Sequence, residues 1–189
     1  MELILVRHGL PERSEATADP PLSLEGLEQA QSVARWLAPE QVHAVFASTM
    51  RRAVQTAQPL AALGGQDLRT HPGIVEFDRG SGRYVPMEIL KRDDYAAWKA
   101  FVADGYDADI GEFKKVVVEA IEGIIAEHAG KRVAILCHGG VINVWTAHVL
   151  GMAPRLFFEP GYASVHRYLC AKSGERNVVS LNERAHLRG

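Results

Sequence analysis

Leu3, Ile4, Leu5 and Val6 stand consecutively near the start of the chain and run straight into Arg7-His8-Gly9. A strand with one wetted face alternates apolar and polar residues. An unbroken apolar run instead needs cover on both faces, as in a parallel sheet held between helix layers. The pattern recurs in Val133 to Cys137 and, less purely, in Val42 to Ala47. Helix-period segments separate these runs. Ser23 reads as the N-cap of a helix with Leu24, Leu27, Ala30, Ala34 and Leu37 on one side, ended by Pro39. Ser48 or Thr49 reads as the cap of a second helix, closed by Gly64-Gly65. Phe113, Val116, Val117, Ala120, Ile121, Ile124 and Ile125 recur at helical spacing before Gly130, and Gly139-Gly140 opens another helix that ends at Gly151. Leu68 to His71 suggests a short strand, and Ala163 to Cys170 with Asn177 to Leu181 suggests two antiparallel neighbours. The expected architecture is α/β, a three-layer sandwich with a mostly parallel central sheet flanked by helices.

A chain of 189 residues suits one domain of that kind. From Glu76 to Asp109 the periodicity weakens and Gly, Tyr, Arg and Asp accumulate, with a modest helical stretch from Ile89 to Phe101. That segment reads as a lid inserted at about residues 76–109 of a single domain, 1–189. Lys plus Arg is 21 and Asp plus Glu is 23, a net charge of −2. So even a balance offers no field for nucleic acid or an anionic membrane surface. No apolar run nears the roughly 20 residues of a spanning helix. Met1 to Gly9 lacks the length and basic flank of a signal peptide. Two cysteines, Cys137 and Cys170, make no disulfide framework, so the cytoplasm is the expected compartment.

Ligands bind beyond the carboxyl ends of the strands in such sheets. Arg7-His8-Gly9 follows the first strand, Arg51-Arg52 the second, and His138-Gly139-Gly140 the strand Val133 to Cys137. Two histidines and one or two arginines thus meet at one sheet edge from distant parts of the chain. Helix N-termini there add partial positive charge and backbone N–H donors. The set suits a phosphoryl group, because arginine is a permanent forked donor and histidine serves as donor or nucleophile. Other phosphate and metal motifs fail on spacing. Gly130-Lys131 is followed by Arg132, with Ile125 where a Walker loop needs its leading glycine. Asn143 stands where a cysteine-based phosphatase loop would carry arginine after Cys137, which reads as a buried strand residue. The eight histidines show no zinc spacing, so neither metal nor cofactor is expected.

Leu5-Val6-Arg7-His8-Gly9, Ser48-x-x-x-Arg52-Ala53-x-x-Thr56-Ala57, Glu76 and His138-Gly139-Gly140, in that order, resemble the histidine phosphatase superfamily in its phosphoglycerate-mutase-like, small-lid branch. The likeness covers nearly the whole chain, including Pro21-Leu22-Ser23. It implies a phosphomonoesterase with His8 as nucleophile. Arg7, Arg52 and His138 would hold the phosphoryl oxygens, and Glu76 would protonate the leaving oxygen. Asp78 and Glu88 compete for that last role. Gly139 and Ser14 join the expected substrate-binding set, while Ser48 reads most simply as a helix cap. Ser14 stands where mutases of the family carry an asparagine, and the lid is short, so phosphatase is implied over cofactor-dependent phosphoglycerate mutase. A non-catalytic phospholigand-binding or scaffold protein would not need His8. The implied partner is a small phosphate ester or a phosphoprotein; oligomeric state is left open.

Overall fold

β1 (Glu2–Arg7) lies inside a six-stranded sheet, between β4 (Arg132–Cys137) and β5 (Val165–Cys170). The computed structural model describes residues 1–14, 16–77, 84, 86–103 and 110–188. With β2 (Ala44–Ser48), β3 (Leu68–His71) and β6 (Arg176–Glu183), the order is β3-β2-β4-β1-β5-β6. The pairs β3·β2, β2·β4 and β4·β1 are parallel; β5 runs antiparallel to both β1 and β6. The sheet is therefore mixed, with its parallel part carrying the three motif-bearing strand ends.

Alternate residues of the unbroken runs face opposite layers. Ile4, Val6, Ala134 and Leu136 pack under α1 (Leu24–Leu37) and α2 (Arg51–Gly64). Leu3, Leu5, Val133 and Ile135 pack against α5 (Ile110–Glu127) and α6 (Gly139–Val149). That double cover is why these strands carry no polar alternation.

Three local readings need correction. The buried face of α1 is Gly26, Ala30, Val33, Ala34 and Leu37, whereas Leu24 is 83% exposed and Leu27 42% exposed. The first turn of α1 packs backbone against backbone: a Cβ on Gly26 would sit 2.1 Å from the Leu10 carbonyl oxygen, and one on Gly9 2.5 Å from that of Gly26. A glycine, not a leucine, marks the inward face there. Ser23 does cap this helix, its side chain accepting from the Gly26 N–H. Neither Ser48 nor Thr49 caps α2, whose N-cap position is Met50. Asp19 does that work from the segment between β1 and α1, both carboxylate oxygens accepting from the Arg51 N–H at 2.9 and 3.1 Å. Finally, the helical stretch near Ile89 is two helices, α3 (Met87–Asp93) and α4 (Tyr95–Ala103). Asp94 breaks them and caps the second, accepting from Ala97 N–H at 2.9 Å. Residues 78–83, 85 and 104–109 of the expected lid lie outside the described residues. Among those described, no helix is long and apolar enough to cross a membrane.

Candidate active site

β1 and β4 end in register, Arg7 opposite Cys137, and the His8 N–H extends the ladder to the Cys137 carbonyl at 2.9 Å. This pairing places His8 and His138 side by side, ring centroids 5.1 Å apart. Both are almost wholly buried, at 3% and 0% exposure. The His8 contacts define its tautomer. Nδ1 lies 2.8 Å from the Gly9 carbonyl oxygen, which only accepts, so Nδ1 carries the proton. Nε2 accepts from Arg52 Nε at 3.2 Å, and a guanidinium only donates. The lone pair of His8 is therefore on Nε2. Burial, then the positive charge of Arg52, the neighbouring His138 and Arg7, hold the imidazole pKa well below its usual range; the Gly9 contact opposes them. His8 is a neutral imidazole with a bare nitrogen among cations.

Arg52 is placed by the first turn of α2 and is 1% exposed. Its Nη1 donates to the Ala18 carbonyl at 2.9 Å and lies 3.7 Å from the Asp19 carboxylate. Thr56, one turn on, donates to the Arg52 carbonyl at 2.7 Å and accepts from the Gly9 N–H at 3.0 Å, tying α2 to the loop after His8. Arg7 donates to the Pro160 carbonyl, and its guanidinium sits 3.9 Å from the centre of the Tyr162 ring. Arg51, the other arginine of the pair, is exposed and outside this cluster.

His138 is the N-cap residue of α6. Its Nε2 lies 2.8 Å from Ser48 Oγ, and its Nδ1 is buried without a hydrogen-bond partner among the described residues. Burial, then Arg52 and Arg7, hold its pKa well below the usual range. Glu76 reaches the same edge from the segment after β3: the Gly140 N–H donates to its Oε2 at 2.9 Å. A Cβ on Gly140 would lie 2.2 Å from Glu76 Oε1, so only glycine permits this seat. Gly139, at the first position of α6, faces Arg7 Nε. Asp78 and the Glu88 side chain lie outside the described residues. Cys137 is a fully buried strand residue whose thiol burial pushes far above its ordinary range, which suits packing and not attack.

The structure thus brings His8, Arg7, Arg52, His138, Gly139 and Glu76 to one edge. Ser14 stands apart. Its hydroxyl accepts from the Ala16 and Thr17 N–H groups at 3.2 Å, and its backbone pairs with Tyr84. Sequence reasoning did not place three side chains that contact this cluster. Ser48 had a signal in the Ser48-x-x-x-Arg52 spacing. Tyr84, with Arg52 4.8 Å from its ring centre, and Tyr162 had none; their hydroxyls meet at 3.4 Å.

The chain matches the histidine phosphatase superfamily (branch 1) over residues 3–184 and belongs to that family. It is 31% identical over 156 residues to Phosphoglycerate mutase-like protein 4 of Arabidopsis thaliana, covering 75% of this chain and 68% of that one. It is 26% identical over 203 aligned positions to Phosphoserine phosphatase 1 of Hydrogenobacter thermophilus, covering 99% and 94%. The fold is shared with a phosphoserine phosphatase mutant from Entamoeba histolytica solved in complex with phosphoserine, at TM-score 0.80, 24% identity and 98% coverage of each chain.

Proposed function

We propose that this chain is a phosphomonoesterase that hydrolyses a small phosphate ester through a phosphohistidine on His8. The observation that carries the reading is the Nε2 lone pair of His8, marked by its contact with Arg52 and flanked by Arg7 and His138. In the first step Nε2 attacks phosphorus, the P–O ester bond breaks, and the leaving alkoxide takes a proton from Glu76. In the second, water attacks the phosphohistidine, its proton passes to Glu76, and the N–P electron pair returns to Nε2. Arg7, Arg52 and His138 donate to the non-bridging oxygens, whose charge spreads in each in-line transition state. The two guanidiniums supply the positive charge that a metal supplies elsewhere, so no step calls for one.

Phosphoserine is the substrate type that the phosphoserine phosphatases among the relatives support. A reacting group seated among residues 0–7% exposed favours a slender ester over a phosphoprotein side chain. Ser14, where mutases carry asparagine, favours water over a second sugar hydroxyl as acceptor. We also read the chain as one domain with a lid at about residues 76–109. The test is acid and alkaline quench of enzyme turning over a 32P-labelled ester. Wild type should hold acid-labile, base-stable label on His8, and His8→Ala should hold none. Label on Cys137, or label persisting in the variant, would overturn the assignment.

A further inference from the structure

Ser48 ends β2 with its side chain fully buried, and Arg52 begins α2 four residues on. Among the described residues the Ser48 hydroxyl has two hydrogen-bond neighbours. The Met50 N–H donates to Oγ at 3.2 Å, and His138 Nε2 lies 2.8 Å away on the other side. Met50 thus occupies one lone pair, and the hydroxyl proton needs an acceptor. If His138 carried its proton on Nε2, both neighbours would donate to Oγ and the serine proton would be stranded in a dry interior. Nδ1 would then be a bare acceptor beside Arg7 and Arg52, facing a phosphoryl group that has only acceptors to offer it. The opposite arrangement leaves one group unmet instead of two: Ser48 donates to Nε2, and the proton sits on Nδ1, which has no partner among the described residues and which a phosphoryl oxygen would accept from.

We infer that Ser48 is a positioning residue that fixes His138 as the neutral Nδ1–H tautomer, so that His138 enters the site as an uncharged donor to a phosphoryl oxygen. The assignment of His138 as a phosphoryl ligand rests on the proposed function; the tautomer does not. It gives the Ser48-x-x-x-Arg52 spacing a single physical meaning. One strand-to-helix junction delivers a charged donor, Arg52, and sets the proton on a second donor through Ser48. Both imidazoles are then neutral, and the formal positive charge around the phosphoryl group is that of Arg7 and Arg52.

The test uses 15N-edited long-range spectra of His138 in the whole, ligand-free protein, with Ser48→Ala and Ser48→Thr, and inorganic phosphate and vanadate as probes. Wild type and Ser48→Thr should show a protonated Nδ1 and a bare Nε2. Ser48→Ala should shift His138 towards Nε2–H, weaken phosphate and vanadate binding about tenfold, and lower kcat/KM about tenfold or more. Threonine should restore both to within about threefold, because it keeps the hydroxyl. A protonated Nε2 in the wild type overturns the inference outright, even if the alanine variant fails to fold. So does an alanine variant that keeps the wild-type tautomer and anion affinity. An intact tautomer with no phosphohistidine would instead sink the functional reading alone, since neither spectra nor anion titration needs turnover.

Discussion

Arg52 Nε donates to His8 Nε2 across 3.2 Å, so the group that would stabilise the transferred phosphoryl also marks the nitrogen that would attack it. A phosphoryl group that took over the guanidinium would release the lone pair. Arg52→Ala should therefore lose about 3 kcal/mol of transition-state stabilisation, read as a hundredfold or greater fall in kcat/KM. It should also let the His8 pKa rise, since Arg52 is the largest of the charges that lower it. Arg52→Lys should rescue little, because an ammonium lacks the fork. Arg51→Ala, on an exposed side chain, should stay near wild type. Loss of activity in the Arg51 variant with a healthy Arg52 variant would show that the wrong arginine was chosen.

Buried histidines also make the fold acid-sensitive. His8 and His138 are held well below the usual range, and burial, with Arg7, takes His166 down to about 3. His166 accepts from the Asn182 N–H on Nδ1 and contacts Ser164 Oγ through Nε2, an arrangement suited to the neutral ring. Below about 6.5 the unfolded chain takes up protons that these folded rings refuse, so protonation favours unfolding. Stability is whole above that pH and is lost as pH falls towards the folded values. Between pH 6.5 and 5 the slope should be about 1 kcal/mol per pH unit for each such group. Urea titrations across that window should show it, and a folded His166→Asn should have a shallower slope. Stability flat from pH 7 to 5 would contradict this.

Much of this was legible because strand ends are legible. An apolar run that stops at Arg7-His8 or at His138 tells where the chain leaves the sheet, and parallel pairing brings those stops together without any knowledge of side-chain direction. What depended on direction was not. Leu24 and Leu27 fit a helical period as well as Gly26 does, and only the approach of Leu10 to Gly26 chooses between the faces. Ser48 looks like a cap in sequence because a serine before a helix usually is one; here Asp19, from 32 residues earlier, took the helix end and left Ser48 for His138. Ser14 turned inward on its own loop. Tyr84 and Tyr162 reach the arginines from segments with no periodicity to read.

Glu76 and Gly140 should behave as one unit. The carboxylate is seated on the Gly140 N–H, with its Oε1 where an alanine methyl would fall. Glu76→Gln removes the proton donor, and Gly140→Ala displaces it. Both should slow hydrolysis of alkyl phosphates far more than of an aryl phosphate, whose leaving group departs without protonation. A common loss on both substrate types would place Glu76 in binding instead of acid catalysis.

The tyrosines offer a test of ring against hydroxyl. Tyr162 lies flat enough on Arg7 to bring the guanidinium carbon to 3.9 Å from its ring centre, and Tyr84 covers Arg52 at 4.8 Å. Each ring holds a cation against its face. Such contacts are worth about 0.5–2 kcal/mol, more when dry. If orientation of Arg7 is the function, Tyr162→Phe keeps it and should stay within about threefold of wild type, the ring face being nearly unchanged. Tyr162→Leu loses the face and should lower kcat/KM about tenfold, with a matching loss of vanadate affinity. The hydroxyls, 3.4 Å apart, add a second signal. Should they contact the alcohol portion of the ester, the Phe variants would change the ratio of kcat/KM between a compact ester and a bulky one while leaving vanadate binding alone. Equal losses in Phe and Leu variants, on both esters and vanadate, would assign the effect to the hydroxyl and remove the stacking account of Arg7.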